Sequence, residues 1–385
     1  MSNNLLAYIG GGTEKRKLRA VFATNTIIHY TINLSEAFIN NPDIEDFRLI
    51  ITQSLPQELI ELGFNENFNK NYIIDARENK KAAIDAINNA DLMIGTYYIN
   101  DLMKERVAAG KLTFIASERI FKPYNSFFLL NSLKNLARWI KFKAILTRFH
   151  YFNENIYFLL IGKHAPSDYI NLGVSKNKIL KFGYFPALNE LLRKNYCAQE
   201  KNEKIHLLWA GRLVSWKHPE YAVKTCKYLT QKGYKIDLKI IGNGPEEANL
   251  KKEAKGCENI YFLGGLPVDK VRKLMSESDI FLFTSNQAEG WGVVLSEAMS
   301  EGMCVIASES AGATNELIQD CKNGKIYSLD SLTELKSITE QILIHSEEIP
   351  RLGKAAQKFV NEKWNAKIFV SDFINFCREK INFKS

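Results

Sequence analysis

The chain has 385 residues, of which 46% are hydrophobic and 24% are charged. This length predicts two or three domains, and this composition excludes a chain that is disordered throughout. Six cysteines without a Cys-x-x-Cys pair exclude a disulfide scaffold, a zinc knuckle and a thioredoxin-like site, and indicate reduced thiols. The start of the chain lacks the layout of a signal peptide, and every apolar run is shorter than the ~18 residues of a membrane span. We therefore expect a cytoplasmic protein.

Short apolar runs alternate with helix-length amphipathic segments along the whole chain. In the first half they predict strands at residues 19–24, 47–52, 72–75, 91–96, 111–116 and 156–161, with helices at 30–39, 80–89, 100–109 and 125–149. In the second half they predict strands at 205–210, 235–241, 260–263, 279–284 and 304–307, with helices at 220–231, 246–253, 268–275, 291–300 and near the C-terminus.

This alternation predicts an α/β protein with two facing, doubly wound (Rossmann-like) parallel-sheet domains. We place the first domain at residues 1–183, a linker at 184–204, the second domain at 205–365, and a C-terminal helix at 366–385 that packs back on the first domain. Ligands of such sheets bind at the carboxyl ends of the strands. The turns that follow strands are therefore where functional residues are expected.

The net charge of +8 is unevenly distributed. No acidic residue lies between Glu118 and Glu154, whereas seven basic residues do: Arg119, Lys122, Lys134, Arg138, Lys141, Lys143 and Arg148. Such a concentration of positive charge predicts an anionic partner, either a phosphate ligand, a membrane surface or nucleic acid.

Residues 206–217 (HLLWAGRLVSWK) combine a predicted buried strand, a glycine turn and two cations. Gly211 allows a sharp turn that places Arg212 just past the end of the strand, and Lys217 follows near the start of the next helix. Two cations beside free helix N–H groups are suited to a diphosphate. The alternative is a pair of solvated surface charges.

Residues 285–297 (SNQAEGWGVVLSE) follow the strand that ends at Thr284. Gly290 and Gly292 allow a close approach of the backbone, and the next helix points its N–H groups into the cleft. Glu289 and Glu297 can accept hydrogen bonds from sugar or ribose hydroxyls. The alternative is one helix-capping acid and one surface acid.

Taken together, these motifs resemble those of the retaining glycosyltransferases of family 4. The resemblance rests on Gly211-Arg212-Leu213 with Lys217, on Gly242-Asn243-Gly244-Pro245, on Glu289-Gly-Trp-Gly with Glu297, and on Ala311-Gly312-Ala313 with Glu316. It covers residues 205–365 closely and the first half of the chain weakly. It implies the two-domain GT-B fold, with a UDP- or GDP-sugar donor held mainly by the second domain.

The resemblance also implies a role for each matching residue. Arg212 and Lys217 would neutralise the diphosphate leaving group, and Glu289 would hold hydroxyls of the donor sugar, so these three are the predicted catalytic residues. Glu297 would hold the ribose, and Gly292 and Val293 would offer N–H groups to the phosphates. We add Gly211, Ser285 and Gly290 to the predicted donor site. The chain departs from the family where His218 and Pro219 follow Lys217, since a glycine is common there.

The turns of the first domain supply the predicted acceptor side. Relatives often carry a glycine loop after the first strand, whereas this chain has Asn25-Thr26-Ile27-Ile28-His29, which favours an acceptor-side role for Asn25 and His29. Glu118 and Arg119 follow the fifth predicted strand, and Glu118 is a candidate for binding the acceptor hydroxyl or acting as its base. The alternatives are a capping or surface histidine and a salt bridge from Glu118 to Arg119 or Lys122.

The sequence predicts neither a cofactor nor a metal. No Asp-x-Asp pair follows a predicted strand, and no His, Cys and Asp cluster has the spacing of metal ligands. Arg212 and Lys217 can supply the counter-charge that a metal would otherwise provide.

The predicted helix 125–149 is a candidate membrane surface. At about 100° per residue, Lys134, Arg138, Lys141 and Arg148 fall within an arc of about 80°, and the opposite side holds Leu129, Leu133, Leu136, Trp139, Ile140 and Leu146. A basic stripe of this kind fits an anionic lipid surface, and the alternative is a solvated face above a core. Nucleic acid is disfavoured because no known binding module accompanies the charge.

We therefore predict a metal-independent, retaining glycosyltransferase at the inner face of the cell membrane. It would transfer a sugar to a hydroxyl of a glycan or of a lipid-linked oligosaccharide during surface polysaccharide synthesis. Two alternatives remain open: a nucleotide-sugar epimerase of similar fold, and a non-catalytic nucleotide-sugar-binding subunit.

Overall fold

The computed structural model describes residues 16–61, 70–121, 128–189, 204–328 and 331–382. Within the first half of these residues lie seven strands: β1 (Leu18–Thr24), β2 (Ile44–Ile51), β3 (Ile73–Asp75), β4 (Leu92–Gly95), β5 (Thr113–Ser117), β6 (Ile156–Ile161) and β7 (Ile179–Phe182). They form one parallel sheet in the order β3-β2-β1-β4-β5-β6-β7.

The described part of the second half contains a parallel sheet of six strands. These are β8 (Ile205–Ala210), β9 (Ile236–Ile241), β10 (Ile260–Gly264), β11 (Ile280–Phe283), β12 (Cys304–Ser308) and β13 (Lys325–Tyr327). Their order is β10-β9-β8-β11-β12-β13.

Helices follow most strands, as parallel connections require. In the first half they are α1 (His29–Ile39), α2 (Gln57–Glu61), α3 (Lys80–Asn89), α4 (Asn100–Ala108), α5 (Phe128–Arg148) and α6 (Ala165–Asn171). In the second half they are α7 (Pro219–Gln231), α8 (Glu247–Glu253), α9 (Val268–Ser276), α10 (Val293–Ser300), α11 (Thr314–Leu317), α12 (Leu332–Ile344), α13 (Glu348–Lys363) and α14 (Ala366–Asn382).

The central strands are continuous apolar runs because helices cover both faces of each sheet. All six residues of β6 and all four of β11 are buried. The predicted α/β fold with two doubly wound parallel sheets is therefore confirmed. The domain boundaries stay predictions, and residues 190–203 of the predicted linker lie outside the described residues.

The strand order fixes where a ligand can bind. In the first sheet the order reverses between β1 and β4, and in the second it reverses between β8 and β11. A crevice opens at such a switch point, outside the carboxyl ends of the strands. The turns after β1, β8 and β11 hold the residues singled out from the sequence.

The C-terminal helix α14 crosses to the first half of the chain. The Phe373 ring packs edge-on against Phe114 of β5, with the ring centres 4.5 Å apart, and lies 6.2 Å from Phe38 of α1. Arg378 pairs with Asp43 at 2.8 Å. These contacts join the end of the chain to its first sheet through buried aromatic rings and an ion pair.

Candidate active site

The turn after β8 packs against the turn after β9. Gly211 N–H donates to the carbonyl of Ile241 at 3.0 Å. A Cβ at position 242 would overlap the Gly211 carbonyl oxygen, and Gly242 has a φ of +126°, so glycine is required there. Arg212 emerges exposed from this turn, with its guanidinium carbon 5.8 Å from the ring centre of Trp216.

Lys217 and Glu289 form an ion pair. Lys217 Nζ contacts Glu289 Oε2, and only 13% and 15% of the two side chains are exposed. Ser285 Oγ donates to the same carboxylate oxygen at 3.2 Å. Thr284 donates its hydroxyl to the Lys217 carbonyl at 2.6 Å, which ties the turn after β8 to the turn after β11. Two residues predicted to be catalytic thus meet where these two turns join.

Helix α10 begins directly after a position where only glycine fits. Gly292 has a φ of +87°, and a Cβ there would overlap the Phe283 ring at the end of β11. The helix starts at Val293, so its N-terminal N–H groups and the positive end of its dipole lie beside this turn. Such an end suits a phosphate.

A cavity of about 300 Å³ lies between these turns. Its walls include Arg212, Val293 and Glu297, together with Ile241, Leu266 and Val294. The buried carboxylate of Glu297 and the exposed guanidinium of Arg212 therefore line one apolar pocket. This combination suits a ligand with a flat apolar part, hydroxyl groups and a negative charge.

The structure places His29 on the predicted donor side, not on the acceptor side. His29 Nε2 lies 2.7 Å from Glu297 Oε1, and the ring lines the same cavity. His29 is the first residue of α1, so this contact crosses from the first sheet to the second. A contact between residues 268 positions apart leaves no local signal, so the sequence could not place His29 beside Glu297, and its role toward an acceptor stays a prediction.

A larger cavity of about 620 Å³ lies at the carboxyl edge of the first sheet. It is lined by Asn25 from the turn after β1 and by Glu118 from the turn after β5, and the acceptor-side role of these two residues stays a prediction. Asn25 Oδ1 is buried and has no hydrogen-bond partner among the described residues. A polar atom of this kind is available to a bound ligand.

Glu118 is held by a tyrosine that the sequence did not single out. Tyr184 donates its hydroxyl to Glu118 Oε1 at 2.9 Å, and Tyr30 packs on Tyr184 with the ring centres 4.3 Å apart. Burial, followed by the nearby charge of Glu118, raises the pKa of both tyrosines well above the usual range. Tyr184 therefore keeps its proton and acts as a donor to the carboxylate.

Arg119 links the two sheets instead of pairing with Glu118. Its Nη1 donates to the Gln287 carbonyl at 2.8 Å, and its Nε lies 3.9 Å from Asp168 Oδ2. Burial lowers the pKa of Arg119 and raises that of Asp168. Asp168 also accepts the N–H groups of Ile120 and Phe121 at 2.8 and 2.9 Å, which orders the turn that carries Glu118 and Arg119.

The turn that holds Glu118, at the larger cavity, meets the second sheet at Gly290. A Cβ at this position would overlap Glu118 Oε2, and the Gly290 carbonyl is approached by Gly162 and Gly312 so closely that a Cβ on either would overlap it. Glycine at these positions lets three loops from the two sheets touch. As a result, Glu118 of the first sheet lies beside the Glu289-Gly290 turn of the second.

Helix α5 is exposed on part of its apolar side as well as on its basic stripe. Lys134, Lys141 and Arg148 are exposed, and Arg138 and Lys141 line the 620 Å³ cavity. Leu133, Leu136 and Ile140 are 62%, 53% and 55% exposed. The alternative of a solvated basic face above a core therefore does not hold for these three leucine and isoleucine residues, because helical periodicity defines an arc without saying which arc the neighbouring elements cover. Residues 122–127, which include Lys122 and the predicted start of this helix, lie outside the described residues.

Within the described ranges, no three His, Cys, Asp or Glu side chains are grouped to hold a metal ion. None of the helices in the same ranges has the length and apolar character needed to cross a bilayer. Metal independence and the absence of a cofactor stay predictions.

Comparison with protein families gives a match in the second half of the chain. Residues 196–359 match the family model described as glycosyl transferases group 1. This finding confirms the resemblance at the level of the group 1 family, and the narrower assignment to family 4 stays a prediction.

Among curated proteins, the chain is similar to the GDP-mannose-dependent alpha-(1-6)-phosphatidylinositol monomannoside mannosyltransferase of Mycobacterium tuberculosis. The two are 26% identical over 226 residues, which is 56% of this chain and 57% of the relative. This chain is also 28% identical over 177 residues to the amylovoran biosynthesis glycosyltransferase AmsK of Erwinia amylovora, and the match covers 43% of each chain. The chain thus matches about half the length of these relatives.

Among solved structures, HepE of Anabaena in complex with UDP and glucose superposes with a TM-score of 0.67. The two chains are 14% identical, and the match covers 93% of this chain and 99% of HepE. This similarity extends over both sheets and concerns the fold alone.

Proposed function

Since residues 196–359 match the group 1 glycosyl transferases and 93% of the chain superposes on HepE, we propose that this protein is a glycosyltransferase. It transfers a sugar from a nucleotide diphosphate to a hydroxyl of an acceptor. The observation that carries this proposal is the junction of the turn that holds Glu118 with the Glu289-Gly290 turn, where Glu289 also pairs with Lys217.

The 300 Å³ cavity is the proposed donor site. Arg212 and Lys217 neutralise the diphosphate, and the N–H groups at Gly292 and Val293 bind its oxygens at the positive end of α10. Glu297 accepts hydrogen bonds from the ribose hydroxyls, which requires it to exchange its contact with His29 for the ligand. The HepE structure contains UDP, and the mycobacterial relative is named as GDP-mannose-dependent. Both support a UDP- or GDP-sugar as the donor class.

The 620 Å³ cavity is the proposed acceptor site. Glu118 binds the reacting hydroxyl at the junction, and Asn25 offers its buried amide oxygen to another hydroxyl. A relative in amylovoran biosynthesis supports a growing glycan as the acceptor. Arg119, held by Gln287 and Asp168, orders the turn around Glu118.

The proposed reaction retains the configuration of the transferred sugar and needs no metal. The bond between the sugar C1 and the diphosphate oxygen breaks, and the acceptor oxygen bonds to C1 on the same face. The departing phosphate oxygen takes the acceptor proton. Glu289 holds donor-sugar hydroxyls, and the two cations stabilise the negative charge that develops on the diphosphate.

The protein is also proposed to attach to an anionic membrane surface through α5. Leu133, Leu136 and Ile140 form an exposed apolar strip on this helix, and Lys134 and Arg148 lie exposed on the same helix. Apolar side chains can enter the headgroup region while the cations meet anionic lipid. This surface would keep the acceptor cavity close to a lipid-linked acceptor.

The test is a transfer assay with a panel of UDP- and GDP-sugars, with and without lipid-linked and soluble glycan acceptors. Arg212→Ala is expected to lower turnover by about 100-fold or more, since it removes a charge-stabilising donor. Lys255→Ala, which removes an exposed cation far from both cavities, should match the wild type. Wild-type turnover in Arg212→Ala would overturn the proposal.

The same assay separates the alternatives. Conversion of the donor sugar to its epimer without an acceptor would identify an epimerase. Donor binding with neither hydrolysis nor transfer across the panel would identify a binding subunit.

A further inference from the structure

The acceptor cavity carries more positive charge than a neutral glycan needs. Among the described residues that line it, Glu118 is the only acid, and Arg119, Arg138 and Lys141 are basic. Arg119 is directed to Asp168 and the Gln287 carbonyl. Arg138 and Lys141 are the two basic residues of α5 that line the cavity.

These two cations lie in a setting that strengthens their effect on a ligand. Helix α5 contains no acidic residue from Phe128 to Arg148, so its own face offers no counter-charge. Phe142 and Ile145 of the same helix and Tyr97 opposite also line the cavity. Arg138 is partly buried and Lys141 is exposed, and the apolar walls beside them lower the dielectric constant around an anion bound inside the cavity.

The residue types favour phosphate over a carboxylate. The guanidinium of Arg138 presents paired N–H groups that match phosphate oxygens, and the ammonium of Lys141 adds a second charge. A phosphate monoester carries about 1.5 to 2 negative charges at neutral pH, whereas a carboxylate carries one. Two cations one helical turn apart match the phosphate better.

We infer that the acceptor is phosphorylated and that Arg138 and Lys141 bind its phosphate at the α5 side of the 620 Å³ cavity. This inference rests on the proposed function and specifies the acceptor class. The sugar hydroxyl then reaches Glu118 at the other side of the same cavity. The phosphate can belong to a soluble sugar phosphate or to the headgroup of a lipid-linked sugar.

The test measures binding of glucose 1-phosphate, farnesyl diphosphate, glucose and farnesol to the full chain in excess UDP, which occupies the donor cavity. Arg138→Gln with Lys141→Gln is compared with Lys80→Gln and Lys104→Gln, which remove two exposed lysines from α3 and α4. We expect one or both anionic probes to bind the cavity variant about tenfold more weakly than the wild type, with the control variant within about twofold of it. Glucose 1-phosphate binding would indicate a soluble phosphate, and farnesyl diphosphate binding a lipid-linked one.

Equal affinities in the two double variants would overturn the inference. So would tighter or equal binding of the neutral probes, or failure of the wild type to bind either anionic probe at millimolar concentration. UDP binding, followed separately by the rise in unfolding temperature, tests the donor site. If the wild type does not bind UDP, the proposed function is contradicted. The comparison of the two double variants would still test the phosphate site by itself.

Discussion

Tyr184 positions Glu118 beside the Glu289-Gly290 turn. Its hydroxyl donates to Glu118 Oε1, and burial keeps that hydroxyl protonated by raising its pKa. A hydrogen bond to a charged acceptor contributes about 1.5–3 kcal/mol. The orientation of Glu118 toward an acceptor hydroxyl therefore depends in part on a side chain from the segment after β7.

Replacing Tyr184 by Phe should lower kcat for transfer by about tenfold and leave the KM for the donor unchanged, because the donor cavity is not altered. Initial rates over a range of donor concentrations measure both constants. Tyr228→Phe is the matched control, since Tyr228 also donates to a glutamate, Glu340, at 2.7 Å but outside both cavities. Unchanged kcat in Tyr184→Phe would show that Glu118 needs no such positioning.

The single residues of the site were partly predictable. Arg212, Lys217, Glu289 and Glu297 follow strands in motifs with local spacing, and the structure places them around one region. The partner of His29 was not predictable, because Glu297 belongs to the other sheet and the contact depends on how the two domains meet. Tyr184 was missed because its contact with Glu118 joins two segments of the first half of the chain that lie 66 positions apart, which leaves no local signal.

At the scale of elements, three glycine turns determine how closely the loops approach. Gly312 N–H donates to the Glu289 carbonyl at 3.2 Å, and a Cβ at 312 would overlap the Gly290 carbonyl. The loop after β12 therefore packs directly against the turn that carries Glu289. A Cβ added at position 312 must displace this turn.

Gly312→Ala should lower the transfer rate at saturating donor by about tenfold or more, since displacing a catalytic group by about 1 Å is costly. Gly256→Ala is the control for a strained glycine position away from the site: its φ of +82° disfavours alanine, but a Cβ there meets nothing within 4 Å and the position lies in the loop before β10, so its rate should match the wild type. Rates of the two purified variants are compared with the wild type. Equal rates for Gly312→Ala and the wild type would show that the Glu289 turn tolerates displacement.

The elements themselves were largely predictable, with exceptions at the edges of the sheets and among the helices. Every predicted strand is present within a few residues of its predicted bounds. The missed strands β7 and β13 are edge strands of four and three residues, and each contains an exposed or half-buried lysine that interrupts or shortens the apolar run. Helices α2, α6, α11 and α12 were not predicted. Helix α5 was predicted, but the exposure of part of its apolar side was not, because the sequence period does not show which arc is covered.

At the scale of the whole molecule, the two sheets are held together by contacts near the cavities. His164, in the loop after β6, donates its Nε2–H to the Ser310 carbonyl after β12 at 2.9 Å. Lys181 pairs with Glu316 at 2.8 Å. These contacts place polar, titratable groups at the boundary between the domains.

Acid should destabilise this boundary through His164. Burial lowers the pKa of His164, and the nearby charges of Arg119 and Lys163 lower it further. Below pH 6.5, the ordinary pKa of histidine, the unfolded chain binds a proton at His164 more readily than the folded protein does. The free energy of unfolding therefore falls as the pH drops below 6.5. The melting temperature of the wild type should therefore fall more between pH 7.5 and pH 5.5 than that of His164→Gln. An identical decline in both proteins would contradict this assignment.

The exposed strip on α5 makes a prediction about the whole molecule at a membrane. Burying apolar side chains in the headgroup region contributes about 25 cal/mol per Å² of apolar surface, and each nearby cation adds ~1 kcal/mol on anionic lipid. Leu133→Gln with Ile140→Gln should therefore reduce co-sedimentation with anionic vesicles severalfold.

The control, Ile344→Gln with Tyr261→Gln, removes apolar residues of the second domain that are 60% and 43% exposed, and should sediment like the wild type. High salt should weaken only the electrostatic part, because the Debye length falls to ~3 Å at 1 M. Equal sedimentation of the two double variants would show that this strip does not face a bilayer.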